Sequence, residues 1–445
     1  MTLTIVGDTR QTLYRFAGAK PEIMQNEIEQ LFPDLQTFGL TVNFRSTQNI
    51  INFCMSLIRY NYAEKGGKYA DRHFLSMIPR PDAPEGEPVG FHFFNDPDEE
   101  AEFIASEISQ RIKDGRSPGD FFIASRTRAQ TAFLEGPFNS AGIPFINITG
   151  MSFFDLAHIK DVISYLRVAL DPNDAESFKR VYRKASADNV STRGRNRGEY
   201  VPYRYLGTEF LSAIGGKWAN IEEAVQSHNY DRWESGIEDL YHMFDLINDS
   251  LSKGPGEAIY TIIERCYRRW LAVDEGLSSD STESSKSDEL NTLVAIANKF
   301  KNPADFLAHI DRAVKAAQDA KSKDWKKYVV VSTIHRLKGL ERNIVIAIGL
   351  SEGYMTLPNG LKMPAGLLPH TFSLINPPQT GAYPTSGKSP IEDERCIAFV
   401  AFSRAKEVLI ITGPKFYQNK TFVPSRFIQE AGWIDPVPEM TQPGA

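Results

Sequence analysis

The chain has 445 residues, 42% of them hydrophobic, which exceeds one typical domain and is enough to bury at least two cores. Its formal net charge of −6 gives no whole-molecule attraction to nucleic acid, so any grip on phosphate has to come from local basic clusters. Cys54, Cys266 and Cys396 lie far apart and fit neither a disulfide framework nor metal-ligand spacing, and there is no long apolar run and no signal-like N-terminus; a cytoplasmic protein without a membrane partner is expected.

In chain order, short apolar runs ending in small or polar residues begin at Leu3 (LTIVGD), Gly90 (GFHFFN), Phe121 (FFIASR), Val329 (VVVST), Ile344 (IVIAIGL) and Val408 (VLIITG). They read as buried parallel strands. Amphipathic segments lie between them, such as Asp98 to Lys113 with Phe103, Ile104, Ile108 and Ile112 on one stripe, and Glu392 to Lys406. Alternation of this kind predicts an α/β layer architecture with crossovers.

From about Asp155 to Lys327 the pattern changes to helical spacing, as in HIKDVISYLRVAL, IEDLYHMFDLINDSL, EAIYTIIERCYRRWL and NPADFLAHIDRAVKAA. An all-helical domain is therefore expected inside an α/β domain. The GLSSDSTESSKSDE stretch from Gly276 reads as a solvated loop between helices, and the Pro- and Gly-containing tail after Trp433 as disordered.

Gly7 and Asp8 fall at the end of the first expected strand, where open α/β sheets bind ligands. The longer string IVGDTRQTLYRFAGA resembles the third conserved motif of UvrD/Rep-type superfamily 1 DNA helicases, a VGDxxQSIYxFRGA pattern. The resemblance implies that Gln11 senses the nucleotide γ-phosphate and that Phe16 stacks on a base of single-stranded DNA. Base–aromatic stacking, about 1–3 kcal/mol per base, tolerates any sequence, as a translocating motor requires. Ala17 stands where the family usually has arginine.

Three further strings extend the resemblance. LTVNFRSTQNIINF, with Asn43, Phe44, Arg45 and Ser46, is similar to the fourth motif and implies that Phe44 stacks on adenine while Arg45 reaches the γ-phosphate. A guanidinium is always charged and can bond a phosphate through two parallel N–H groups. VVVSTIHRLKGLERNIVIAIGL resembles the fifth motif. It implies that Thr333 and His335 contact single-stranded DNA, that Lys338 and Gly339 lie near the triphosphate, and that Glu341 bonds the ribose.

IEDERCIAFVAFSRAKEVLIIT resembles the sixth motif and makes Arg404 a second γ-phosphate arginine, a group that can be worth about 10³–10⁵ in rate. The carboxylates Glu392, Asp393 and Glu394 are expected to serve only as favourable charges at a helix start. Arg126 and the triplet Ile159, Lys160, Asp161 are weaker points of resemblance. The basic stretch holding Lys179, Arg180, Arg183, Lys184, Arg193, Arg195 and Arg197 reads equally as a duplex-phosphate patch or as a solvated helix end and loop.

No GxxxxGK[ST] phosphate loop occurs; the segment ending in Gly387, Lys388 and Ser389 has Ala382 where the first glycine belongs, and it reads as a loop. In the family the phosphate loop and the carboxylates for magnesium precede the third motif. The resemblance thus implies a fold with a remnant of a first RecA-like lobe over 1–39, a discontinuous second RecA-like parallel-sheet motor lobe over 40–165 and 326–432, a helical insertion over 166–325, and a tail over 433–445. The implied function is that of the C-terminal part of an ATP-dependent 3′-to-5′ DNA helicase. ATP and Mg²⁺ are the implied cofactors, with most of their ligands on a missing N-terminal half. Single-stranded DNA, strand junctions and that half are the implied partners. A truncated sequence, one half of a split helicase, and a non-catalytic DNA-binding or regulatory subunit all remain open.

Overall fold

In a computed structural model, which describes residues 4–14, 23, 27–66, 74–148, 151–184, 204, 206–227, 233–268, 270–271, 285–320, 324–356, 362–370, 390–418 and 420–432, the Val- and Ile-rich runs become strands. The strands are numbered β1 (Val42–Asn43), β2 (Ile78–Pro79), β3 (Gly90–Phe94), β4 (Phe121–Ser125), β5 (Phe145–Asn147), β6 (Val329–Thr333), β7 (Arg342–Ala347), β8 (Ser351–Thr356), β9 (Lys362–Gly366), β10 (Ala405–Pro414), β11 (Phe416–Tyr417) and β12 (Lys420–Pro424). Six of them form one parallel sheet in the order β3-β10-β7-β4-β6-β5. This is the sheet of a RecA-like α/β lobe.

The central strands are apolar on both faces because both faces are covered. On one face Phe122, Val330, Val345 and Leu409 pack into a core with residues of the Gln48–Arg59 and Pro390–Phe402 helices. The Pro97–Lys113 helix starts where Asp96 accepts the backbone N–H of Asp98 and Glu99, with Pro97 in the first turn, and it buries Ala101, Ile104, Ala105 and Ile108.

The chain divides into two units, Met1–Gly150 with Ala320–Ala445 and Met151–Asp319. All helices and strands described in the second unit are helices, as the spacing predicts. The helix Ala157–Leu170 lies wholly in this unit. Its core is pinned by polar groups. Asp161 pairs with Arg180 at 2.7 Å and with Lys184, and accepts the Tyr267 hydroxyl at 3.0 Å. Arg204 bonds Asp239 at 2.6 Å and the Val181 carbonyl at 2.8 Å.

Several expectations are corrected. The strand expected at Leu3–Asp8 is absent: Thr4 to Asp8 is not a strand, and Val6 is 81% exposed. A strand exists only through ladder bonds to a neighbour, and no described strand flanks this segment. Ser285 to Glu289, read as loop, starts the helix Ser285–Ala297. A four-stranded antiparallel sheet, β11-β12-β8-β9, was not legible in the sequence pattern. Arg180 and Lys184 turn to Asp161 rather than outward, so they do not belong to a free basic patch. Arg193, Arg195, Arg197, the Gly387–Ser389 segment and the tail over 433–445 lie outside the described residues.

One buried carboxylate joins three elements of the first unit. Glu100, on the Pro97–Lys113 helix, accepts the Thr412 hydroxyl at 2.6 Å and the Gly349 N–H at 3.1 Å. Gly349 has φ +74°, and a Cβ there would come within 2.4 Å of the Gln130 amide, so only glycine fits the turn. Burial pushes the Glu100 carboxyl up to about 7, against the opposing effect of its two hydrogen bonds. A carboxyl raised in this way binds its proton more tightly in the folded chain. Its stabilising effect is therefore full below the ordinary carboxylate range and is lost as pH rises through about 7. Glu100→Gln is expected to remove this dependence and to raise stability near pH 8 by roughly 2–3 kcal/mol, while changing little near pH 5. Urea unfolding at the two pH values measures it, and parallel pH profiles for the two proteins would refute the assignment.

Candidate functional site

The Asp8–Gln11 segment forms a tight turn whose hub is the Asp8 carboxylate. It accepts the Arg10 backbone N–H at 3.0 Å, the Arg10 guanidinium at 2.9 and 3.2 Å, and the Gln11 amide at 2.9 Å. Burial alone would raise the Asp8 carboxyl, but the bonds and charge of Arg10 outweigh it and hold the carboxyl below its usual range. From this turn the Gln11 side-chain oxygen faces Arg404 at 3.4 Å, and its backbone carbonyl accepts Lys338 at 3.0 Å.

Arg404 follows the Pro390–Phe402 helix and is 2% exposed. Its guanidinium donates to the carbonyls of Val400 at 3.1 Å and Leu340 at 3.4 Å, and to the Ser403 hydroxyl at 3.0 Å. Burial first, and then the nearby Arg45 cation, pull its pKa down to about 10, so it stays cationic at neutral pH. Arg45 donates to Glu341 at 2.5 Å and to the Ser403 carbonyl at 3.0 Å, and Lys406 meets the other Glu341 oxygen at 2.9 Å. These bonds hold the Glu341 carboxyl down to about 2. Phe44, next to Arg45, is 75% exposed. Gly339, at φ +86°, lets the loop from β6 to β7 turn back so that Glu341 reaches this cluster.

A second cluster lies past the C-terminal ends of β4 and β6. Arg126 bonds Glu394 through two nitrogens, at 3.0 and 2.8 Å, and Glu394 also accepts the His370 N–H at 3.1 Å. Thr333 ends β6 and His335 sits in the turn that follows. Burial, reinforced by the Arg126 charge and opposed by Glu394, lowers the His335 pKa to about 4. The imidazole is therefore neutral at physiological pH. Tyr14 donates to the His335 carbonyl at 3.0 Å, which ties the first turn to this loop.

The sequence profile of the UvrD-like helicase C-terminal domain matches residues 38–196 and 208–415, well over half of the chain. The chain belongs to this family. It is similar to the ATP-dependent DNA helicase UvrD1 of Mycobacterium tuberculosis (strain H37Rv), at 27% identity over 439 residues, 92% of this chain and 50% of the relative. It is also similar to the ATP-dependent DNA helicase PcrA of Staphylococcus aureus (strain MRSA252), at 24% identity over 96% of this chain and 54% of the relative. The putative ATP-dependent DNA helicase YjcD of Bacillus subtilis (strain 168) is 26% identical over 96% of this chain and 50% of its own length. The chain spans about half the length of the curated relatives it matches.

Within this UvrD-like chain, Gln11, Arg45, Lys338, Glu341 and Arg404 come together in one cluster, although more than 390 residues separate the first from the last. Thr333 and His335 lie at the far end of the same loop, and Phe16 and Ala17 fall outside the described residues. Sequence reasoning missed Arg10, Lys406 and Ser403; Lys406, two positions from Arg404, looks like an ordinary strand-edge charge until the fold brings it to Glu341. The carboxylates at the start of the sixth motif also need correction: Glu392 and Glu394 are buried, and Glu394 is the partner of Arg126, not merely a favourable charge at a helix start. Arg45→Ala is expected to raise the Glu341 carboxyl from about 2 towards its ordinary 4.5. Carboxyl-carbon NMR against pH reads this, and a titration still centred near 2 would mean that Lys406 alone sets it.

Proposed function

We propose that this chain is the second motor lobe, with its helical insertion, of an ATP-dependent DNA translocase that moves 3′ to 5′ on single strands and opens strand junctions in the cytoplasm. Residues 1–39 then belong to a first lobe, 40–165 and 326–432 to the second, and 166–325 to the insertion. The observation that carries the reading is the meeting of Arg404 and Gln11 at 3.4 Å beside Arg45, since these are a phosphate sensor and two phosphate-binding arginines by family pattern.

A cationic cluster of Arg45, Arg404, Lys338 and Lys406 suits the phosphates of ATP, which is the substrate. In this reading Arg404 and Arg45 stabilise charge on the transferred phosphoryl group, Gln11 senses the γ-phosphate, Phe44 stacks on the adenine and Glu341 accepts a ribose hydroxyl. Most of the magnesium ligands belong to the preceding lobe in this reading: among the described residues no three His, Cys, Asp or Glu side chains are grouped to hold a metal, and no step is assigned to it here. Phe16, Thr333 and His335 form the proposed DNA track. Free, buried cysteines suit a reducing compartment, and no described helix is long and apolar enough to cross a membrane.

Purified chain is expected to show no ATP turnover above an Arg404→Ala control, because its sequence has no GxxxxGK[ST] loop. Adding a polypeptide that carries such a loop and the preceding lobe should restore DNA-stimulated turnover, and Arg404→Ala should then cut it by about 10³ or more. Restored turnover that ignores Arg404 would overturn the reading. The alternative, a non-catalytic DNA-binding or regulatory subunit, would bind single strands and never support turnover with any such partner.

Because His335 is neutral above about pH 4, its contact with DNA adds hydrogen bonding and not counter-ion release. His335→Gln is expected to weaken single-strand binding with no change in the slope of log K against log salt. A slope reduced by about one would mean that the imidazole binds as a cation.

A further inference from the structure

Arg10 occupies a position that the third-motif pattern leaves open, and none of the roles above uses it. Its side chain is almost entirely buried, at 8% exposure for the residue. Nε and Nη2 bond the two oxygens of Asp8 at 2.9 and 3.2 Å. Nη1 donates to the Leu75 carbonyl at 2.7 Å and lies 4.0 Å from the Met55 sulfur. The cation is 5.6 Å from the ring of Phe399, which is on the same helix that leads into Arg404. A guanidinium engaged on all its nitrogens is not available to a phosphate, so Arg10 acts on its neighbours rather than on a ligand.

The neighbour that matters is Asp8. Its Oδ2 accepts both Arg10 Nη2 and Gln11 Nε2. With the amide nitrogen tied to an anion, the carboxamide of Gln11 cannot turn over without setting oxygen against oxygen, so its Oε1 is left facing Arg404. Remove the Arg10 cation and Asp8 becomes a half-buried carboxylate that has lost its paired cation, which swings to water or takes a proton. Either change releases the Gln11 amide.

We propose that Arg10 is the positioning residue of this site: it anchors Asp8 against the Leu75 carbonyl and the Phe399 ring, and through Asp8 it fixes which end of the Gln11 carboxamide meets Arg404. The assignment rests on the proposed function only for what Gln11 and Arg404 then do with nucleotide.

The test is side-chain amide NMR of the full chain labelled with 15N-glutamine, with the Gln11 signal assigned by its loss in Gln11→Glu. In Arg10→Gln the Gln11 amide protons should exchange with solvent at least about tenfold faster, the consequence of losing a charge-assisted bond. The buried Gln130 amide, in the same unit, should be unaffected, and so should both signals in Arg111→Gln, a substitution in a surface ion pair of the Pro97–Lys113 helix. Equal acceleration at Gln11 and Gln130 would mean general destabilisation and would overturn the proposal, as would an unchanged Gln11 signal. Should Arg10→Gln not fold, Asp8→Asn, which keeps the shape and removes the anion, must give the same selective acceleration. Adding ATP together with the loop-bearing polypeptide of the preceding lobe separates the two readings. If Gln11 responds to Arg10→Gln but never to ATP, the positioning role stands and the nucleotide assignment fails; if ATP shifts Gln11 while Arg10→Gln leaves its exchange unchanged, the reverse holds.

Discussion

A charged guanidinium held out of water is the constraint around which this site is built. Burying a cation such as Arg404 costs several kcal/mol unless its N–H groups find acceptors. The acceptors come from three places: Val400 and Ser403 at the end of its own helix, Leu340 in the loop between β6 and β7, and Gln11 near the start of the chain. Each of those segments has therefore to arrive in register for the cation to be tolerated at all. The close packing of the Pro390–Phe402 helix on the sheet is what fixes their common reference point.

Charge elsewhere in the unit is handled by the same rule. Arg45 and Lys406 flank Glu341, Arg10 covers Asp8, and Arg126 covers Glu394. These pairs offset the charge of each cation within the unit. One helix carries Glu394 in its first half and leads into Arg404 at its end, so the Arg126–His335 cluster and the Arg45–Glu341 cluster are referred to one rigid rod. The buried Glu100 is held differently: hydroxyl and backbone donors bond it, and burial raises its proton affinity.

The parallel sheet was legible because its strands are covered on both faces and read as unbroken Val, Ile and Phe runs, as in β4, β6 and β7. The antiparallel sheet was not, because β8 and β12 mix glycine, charge and proline with few apolar residues, and pair across some seventy residues of sequence. The LTIVGD run misled for the opposite reason. Its composition is that of a buried strand, yet no described strand lies beside it, and Val6 faces solvent.

By itself the sequence determined the class of the fold, the helical character of the second unit and the identity of the residues that could carry phosphate chemistry, because periodicity and motif spacing are local properties. Only the tertiary structure decided which of those charges meet. Arg10 had no visible role until it was seen under Asp8, Lys406 none until it reached Glu341, and Glu394 a different one until it was buried against Arg126. The physical reason is that the worth of a charge depends on its burial and its nearest opposite charge, and in this chain that neighbour can be two residues away, as for Arg10 and Asp8, or across most of the sequence, as for Arg45 and Glu341.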